Sequence, residues 1–241
     1  ERQYDVINLC NTGINRIGSV EFQNPDEKKF REGEFRFMRA YSYWWLVEFF
    51  GDIVMRTEET NTPELNAYRT PAATIYDEVI IPDLQAACQL LTVEPIDGMV
   101  GRVTKKAAYG ALARIALARA AYCDADTYYT MALEAANYVI TNKAALGVDL
   151  YYNYSDVSNP DNNKSNKEAL YIVTYSSTSA YNPDSKSNRL HWYYNPAYNE
   201  LCGMAQDVKY GTSPKKNGNS IMSLMPTRRL LTLFDEGDLR Y

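Results

Sequence analysis

The chain has 241 residues, of which 46% are hydrophobic, and it carries a net charge of -5. This composition is typical of a globular protein with one large domain or two small ones, and the acidic balance argues against a nucleic-acid-binding surface. No run of 18 apolar residues occurs, so the sequence predicts no transmembrane helix.

The first predicted element is a helix over residues 4–20. Its apolar side chains recur at helical spacing, at Val6, Ile7, Cys10, Ile14 and Ile17. A polar stretch around Asn24 and Pro25 separates this helix from the next one, and we expect the two to pack as a hairpin. The sequence opens in what reads as mid-helix, without a signal peptide or lipid-attachment cysteine, so we expect a processed chain or a fragment.

Residues 31–53 predict one long core helix that ends at Gly51. Its apolar side chains form two faces, which indicates burial on two sides, and we assign both Trp44 and Trp45 to the core. Arg39 lies among these apolar side chains. Because an unpaired buried charge is costly, we expect a carboxylate to pair with it in a structural role.

Residues 57–69 contain Pro63 and show no helical period, so they are interpreted as a surface loop. Two helix pairs follow. The first helix is predicted to begin with a capping box of Thr74 and Asp77 and to kink at Pro82. An alanine-rich helix follows after residue 101, and then a helix capped by Asp124 or Asp126. Such pairs are typical of tetratricopeptide-type units.

The remainder of the chain is less regular. Residues 151–167 are rich in Asn, Ser and Asp and read as an exposed loop. The alternating run from Ala169 to Tyr175 predicts a short strand. Residues 176–220 are polar and aromatic without a sustained period.

Four stretches, in order, resemble one known family. GEFRFMRAYSYWWLVEFFGDI is similar to the signature of the SusD/RagB family of Bacteroidetes outer-membrane nutrient-binding lipoproteins, although Val54 stands where that family usually has proline. IYDEVIIPDLQAACQLL, GRVTKKAAYGALARIAL and MPTRRLLTLFDEGDLRY resemble later segments of the family. The last of these lies near mid-protein in the family, so a C-terminal portion is expected to be missing here.

The resemblance implies a mostly all-α fold, a SusD-like superhelix of tetratricopeptide-like helix pairs with long loops and a short strand, forming a single domain over residues 1–241. It implies a cell-surface protein that captures a glycan for a SusC-like TonB-dependent outer-membrane transporter. The protein would be lipid-anchored to the outer membrane and face the cell exterior. No enzymatic activity, cofactor or nucleic-acid partner is implied.

Signals for catalysis or metal binding are sparse. His191 is the one histidine, which excludes a multi-histidine metal site, and no G-x-S-x-G elbow supports a serine triad. The oxygen-rich cluster over residues 156–163 fails the spacing of a calcium loop, so we expect no metal there. Four separated cysteines form no C-x-x-C pair.

Aromatic residues are more informative about binding. Trp192, Tyr193 and Tyr194 crowd beside Asn195 in a non-helical segment. An aromatic ring packs on the apolar face of a pyranose while amide and guanidinium groups bind its hydroxyls, so we predict these residues as ligand contacts. Tyr68 and Arg69 on the earlier loop are weaker candidates of the same kind.

Two other classes of function stay open. A helical-repeat adaptor would bind a peptide or protein and show no sugar affinity. A glycoside hydrolase on a helical scaffold would need two carboxylates facing each other across a cleft.

Overall fold

A computed structural model describes residues 2–62, 66–123, 126–162, 165–174, 229, 232–235, 237 and 238. Helices dominate these residues: α1 (Arg2–Arg16), α2 (Pro25–Phe50), α3 (Ala72–Ile75), α4 (Ile81–Leu90), α5 (Lys105–Cys123) and α6 (Asp126–Thr141). Short 3₁₀ turns occupy Ile17–Ser19, Ile96–Gly98, Tyr154–Ser158 and Pro160–Asn162. None of the helices in this described part is long and apolar enough to cross a bilayer. The predicted all-α class is confirmed.

The pair α1–α2 forms the predicted helical hairpin. Asn24 caps α2, because its side chain accepts a 2.9 Å hydrogen bond from the Asp26 amide, and Pro25 occupies the first turn. The helix therefore begins six residues before the predicted start. It ends at Gly51, whose φ of +67° lies in the region that favours glycine.

The helix before Pro82 begins differently from the prediction. No capping box forms at Thr74, because α3 already begins at Ala72, where Asp52 accepts a 2.9 Å hydrogen bond from the Ala72 amide. A π-helical turn, Tyr76–Ile80, then leads into α4, with Pro82 in the first turn of α4. Proline has no amide donor, and a π-helical turn is one way for a helix to accommodate such a position.

Small side chains hold α5 close to its neighbours, as predicted. Ala107, Ala108, Ala116 and Ala120 of α5 are buried, as are Ala132 and Ala135 of α6. This close approach lets Tyr109 and Tyr138 stack with ring centroids 3.7 Å apart.

The prediction that α2 is buried on both apolar faces is wrong for one stripe. Trp44 is buried, but Trp45 is 38% exposed and Phe49 is 68% exposed. These two rings stack on each other with an interplanar angle of 6°. Each ring covers part of the apolar surface of the other. The elements that pack on α2 lie on its other side and leave this stripe uncovered.

The predicted strand over 169–175 is also wrong for the residues described, 169–174, which contain neither strand nor helix. The alternation has another cause: Leu170 packs over Gly110, while Tyr171 packs edge-on against Phe37 with ring centroids 5.5 Å apart. These side chains are placed singly on helices, so no partner strand is needed.

The chain divides into two compact units. The first comprises Glu1–Tyr152 with Val157–Ile172 and contains all six helices described above. The second comprises Asn153–Asp156 with Val173–Tyr241. That residues 1–241 form a single domain stays a prediction.

Candidate functional site

The loop between α2 and α3, of which the structure describes residues 54–62 and 66–69, is the best-defined candidate site in the described part of the chain. We call it the anchored loop. Two backbone hydrogen bonds between Ile53 and Thr70, of 3.3 and 2.7 Å, close it at its base. A loop closed in this way on rigid helices is a common place for binding residues.

The first anchor is a pair of tyrosines beneath the loop. Tyr43 is fully buried in α2, and its hydroxyl donates to the Arg56 carbonyl and accepts from the Arg56 amide, both at 2.7 Å. Burial raises the pKa of Tyr43 to about 12. The Tyr4 hydroxyl donates to the Val54 carbonyl at 2.9 Å. The loop backbone therefore pairs with side chains rather than with another strand.

The second anchor is Asn11 of α1, which is fully buried. Its Nδ2 donates to the carbonyls of Arg56 at 3.0 Å and Glu58 at 3.1 Å. Its Oδ1 accepts from Nη1 of Arg39 at 2.9 Å. The Nδ2 group of Asn11 thus ties the loop to α1, and its Oδ1 ties α1 to α2.

A buried ion pair supports Asn11 from below. Arg39 is paired with a carboxylate, as predicted: its Nε and Nη2 donate to the two oxygens of Asp83 at 2.6 and 2.9 Å. Asp83 is 1% exposed and also accepts from Arg36 at 3.0 Å. Arg36 in turn pairs with Glu32, the i,i+4 pair visible in the sequence. Helices α1, α2 and α4 therefore meet in one polar network.

Further contacts to α1 hold the outer side of the loop. Asn8 accepts from the Thr60 amide at 2.8 Å, and Arg16 forms an exposed ion pair with Glu59. A cavity of about 460 Å³ lies within the loop and is lined by residues 55–62. The loop backbone from 54 to 60 is thus fixed to the helices, which lowers the entropy lost on binding a ligand.

Tyr68 and Arg69 lie at the far end of this loop. Both are exposed, and Tyr68 is 81% exposed. The base contacts at Thr70 and the Asp52 cap of α3 fix the backbone directly after them. An exposed ring beside a guanidinium offers a stacking surface and a donor for hydroxyl groups.

The other predicted contacts, Trp192, Tyr193, Tyr194 and Asn195, lie outside the described residues, as does His191. They stay predictions. Among the residues that the structure describes, no group of three or more His, Cys, Asp or Glu side chains is placed to hold a metal ion.

Sequence reasoning missed Asn11, Tyr43 and Asp83 as residues that shape the loop. One signal was present for Asn11, because it is a polar residue directly beside Cys10 on the apolar face of α1. The contacts themselves span 45 and 47 residues along the chain, so no local pattern contains them.

The described part of the chain is therefore an all-α scaffold of helix pairs, on which the anchored loop displays an exposed aromatic ring. The SusD-like family described as "starch-binding associating with outer membrane" matches residues 1–117. Residues 1–117 are thus similar to this SusD-like family, in agreement with the resemblance seen in the motifs of the chain.

Individual relatives agree with the family match. SusD-like protein P2 of Formosa agariphila is 29% identical over 188 residues, which are 75% of this chain and 35% of that protein. A SusD superfamily structure from Parabacteroides distasonis is 27% identical, covers 98% of this chain and 45% of its own, and superposes with a TM-score of 0.76. A further structure, with a xylogluco-oligosaccharide, is 25% identical over 72% of this chain and 34% of its own, with a TM-score of 0.61. The chain thus spans less than half the length of these relatives.

Proposed function

We propose that this chain is part of a cell-surface protein that captures an oligosaccharide or polysaccharide and passes it to a TonB-dependent transporter for import. The protein would be lipid-anchored to the outer membrane with its binding surface towards the exterior. Capture would be non-covalent, by ring stacking and hydrogen bonds to hydroxyls, without hydrolysis.

The observation that carries this proposal is the anchored loop. Its backbone is fixed by buried side chains of two helices, yet Tyr68 at its far end is 81% exposed. An exposed aromatic side chain on a fixed loop backbone is suited to stacking on a sugar ring, because the backbone loses little conformational entropy when the ligand binds.

Two further facts support a glycan as the ligand. The family match carries a starch-binding description, and one related structure contains a xylogluco-oligosaccharide. The aromatic segment with Trp192, Tyr193, Tyr194 and Asn195 has the residue types of a sugar-binding platform, and we propose these residues as further ligand contacts. The transporter partner and the membrane anchor rest on the family resemblance.

The test is a glycan-array screen followed by calorimetry, with Tyr68→Ala, Trp192→Ala and Tyr194→Ala variants. We expect one glycan class to bind without being cleaved. Loss of a stacked ring should weaken binding by roughly tenfold, as expected for one aromatic contact.

Tyr152→Ala provides the matched control, because Tyr152 is 92% exposed and lies outside the anchored loop. It should bind like the unchanged protein. Binding to no glycan, or hydrolysis of the bound glycan, would contradict the proposal. Equal weakening by Tyr68→Ala and Tyr152→Ala would contradict the role of the loop.

A further inference from the structure

A second cavity lies apart from the anchored loop, where the connection between α4 and α5 faces residues 165–172. Its volume is about 410 Å³, within the range of small-molecule pockets. Both polar and apolar residues line its wall. The lining includes Glu94, Arg102, Thr104, Lys106, Ser165 and Tyr171.

Hydrogen bonds on both sides hold the walls of this cavity in place. The Lys105 amide donates to the Thr92 carbonyl at 2.8 Å, which closes the connection from α4 to α5. On the other side, Asn166 Oδ1 accepts from the amides of Glu168 and Ala169 at 3.0 and 3.2 Å. The cavity is therefore part of the folded scaffold.

Two basic side chains on the cavity wall differ in whether a carboxylate pairs with them. Arg102 forms an ion pair with Glu34, so its charge is already balanced. Lys106 is partly buried, and its ammonium forms no ion pair with a carboxylate among the described residues. Burial lowers the pKa of Lys106, while the nearby Glu94 carboxylate at the exposed rim acts in the opposite direction. One partly desolvated cation thus faces the cavity.

The remaining lining suits a sugar. Thr104 and Ser165 provide hydroxyl groups, and the ring of Tyr171 provides an apolar surface. We propose that this cavity binds a sugar unit that carries a carboxylate, a uronic acid, with the carboxylate on Lys106. The proposal rests on the proposed function in that its ligand is a glycan, and it adds that the glycan is acidic.

A single ammonium matches one negative charge, and a charged hydrogen bond in a partly desolvated site is stronger than a neutral one. The Glu94 carboxylate at the rim repels the same ligand. Removing Lys106 and removing Glu94 should therefore change uronate binding in opposite directions, which an unspecific sugar contact would not do.

The experiment measures binding of D-glucuronate and of its neutral amide, D-glucuronamide, to the protein by calorimetry. We expect the carboxylate to bind about tenfold more tightly than the amide. Lys106→Met should abolish this preference, and Glu94→Gln should increase it. Lys105→Met is the matched control, because Lys105 is the neighbouring, partly buried lysine and does not line the cavity.

Thermal unfolding of each variant checks that it folds, and the Glu94→Gln variant tests the inference even if Lys106→Met does not fold. Equal binding of the two probes, or a preference that survives Lys106→Met, would overturn the uronate site. Binding of neutral glycans alone would overturn it and leave the proposed function standing. Uronate binding that depends on Lys106, without any glycan bound in the array, would support the cavity and count against the proposed function.

Discussion

Replacing Asn11 with alanine removes the amide that joins the anchored loop to the two long helices. The change removes the hydrogen bonds of Asn11 to the carbonyls of Arg56 and Glu58 and to Nη1 of Arg39, while the Arg56 carbonyl keeps its bond from Tyr43. A neutral hydrogen bond contributes about 1 kcal/mol and one to a charged group about 1.5–3 kcal/mol, so the three together amount to about 3.5–5 kcal/mol.

Water reduces this cost. A cavity of about 260 Å³ already borders Asn11, so solvent can reach part of the vacated space. Arg39 also keeps both of its hydrogen bonds to Asp83. We therefore expect Asn11→Ala to lower the free energy of unfolding by about 2–4 kcal/mol.

Urea unfolding followed by tryptophan fluorescence measures the loss of stability, and amide hydrogen exchange of Arg56 and Thr60 reports on the loop itself. Both amides should exchange faster in the variant. Asn15→Ala is the control, because that side chain makes one exposed hydrogen bond to Glu58 and should change stability by less than about 0.5 kcal/mol. A cost of Asn11→Ala below about 1 kcal/mol, or unchanged exchange of the two amides, would refute the anchoring role.

Asp83→Ala should lower the free energy of unfolding by about 3–5 kcal/mol, because it leaves the buried guanidinium of Arg39 without a carboxylate. Glu32→Ala, at the rim of the same network, should lower it by less than about 1 kcal/mol. Similar losses of stability for the two variants in urea unfolding would contradict this prediction. Gly51→Ala should lower the free energy of unfolding by about 1–2 kcal/mol through backbone strain alone, because the φ of Gly51 is +67° and open space surrounds it. Gly18→Ala, which also meets open space, should be nearly neutral. Equal melting temperatures of the two variants in thermal unfolding would exclude strain at Gly51. Burial raises the pKa of Tyr43 from 10.0 to about 12, so its contribution to stability is present below pH 10 and is lost as the pH rises towards 12. The difference in urea midpoint between pH 9 and pH 11 should be smaller in Tyr43→Phe, and an unchanged difference would contradict that assignment.

Local periodicity was sufficient to predict most of the helices and the pairing of one buried charge, Arg39. The apolar steps in residues 31–53 predict α2 and its end at Gly51, because helix formation and termination depend on neighbours three and four residues apart. The expectation that Arg39 is paired also needed only its apolar surroundings. The identity of its partner, Asp83, lies 44 residues away and required the fold.

Errors arose where one pattern fits two structures. A second apolar stripe on α2 suggested burial of Trp45, but periodicity cannot say which stripe another element covers. Alternation over 169–174 suggested a strand, yet Leu170 and Tyr171 pack individually on helices. The Thr74–Asp77 spacing fits a capping box, but Asp52 caps the helix from a preceding loop.

The sequence alone predicted the helical class and the order of the helix pairs, and it showed the resemblance to the SusD-like family, because these depend on short-range spacing and on motifs read in order. It also marked Tyr68 and Arg69 as candidates. The folded protein was needed to see that Asn11 and Tyr43 hold the loop before them, and that Lys106 lines a cavity without a paired carboxylate in the described part of the chain. Both depend on contacts between distant segments, which are defined only once the helices have packed.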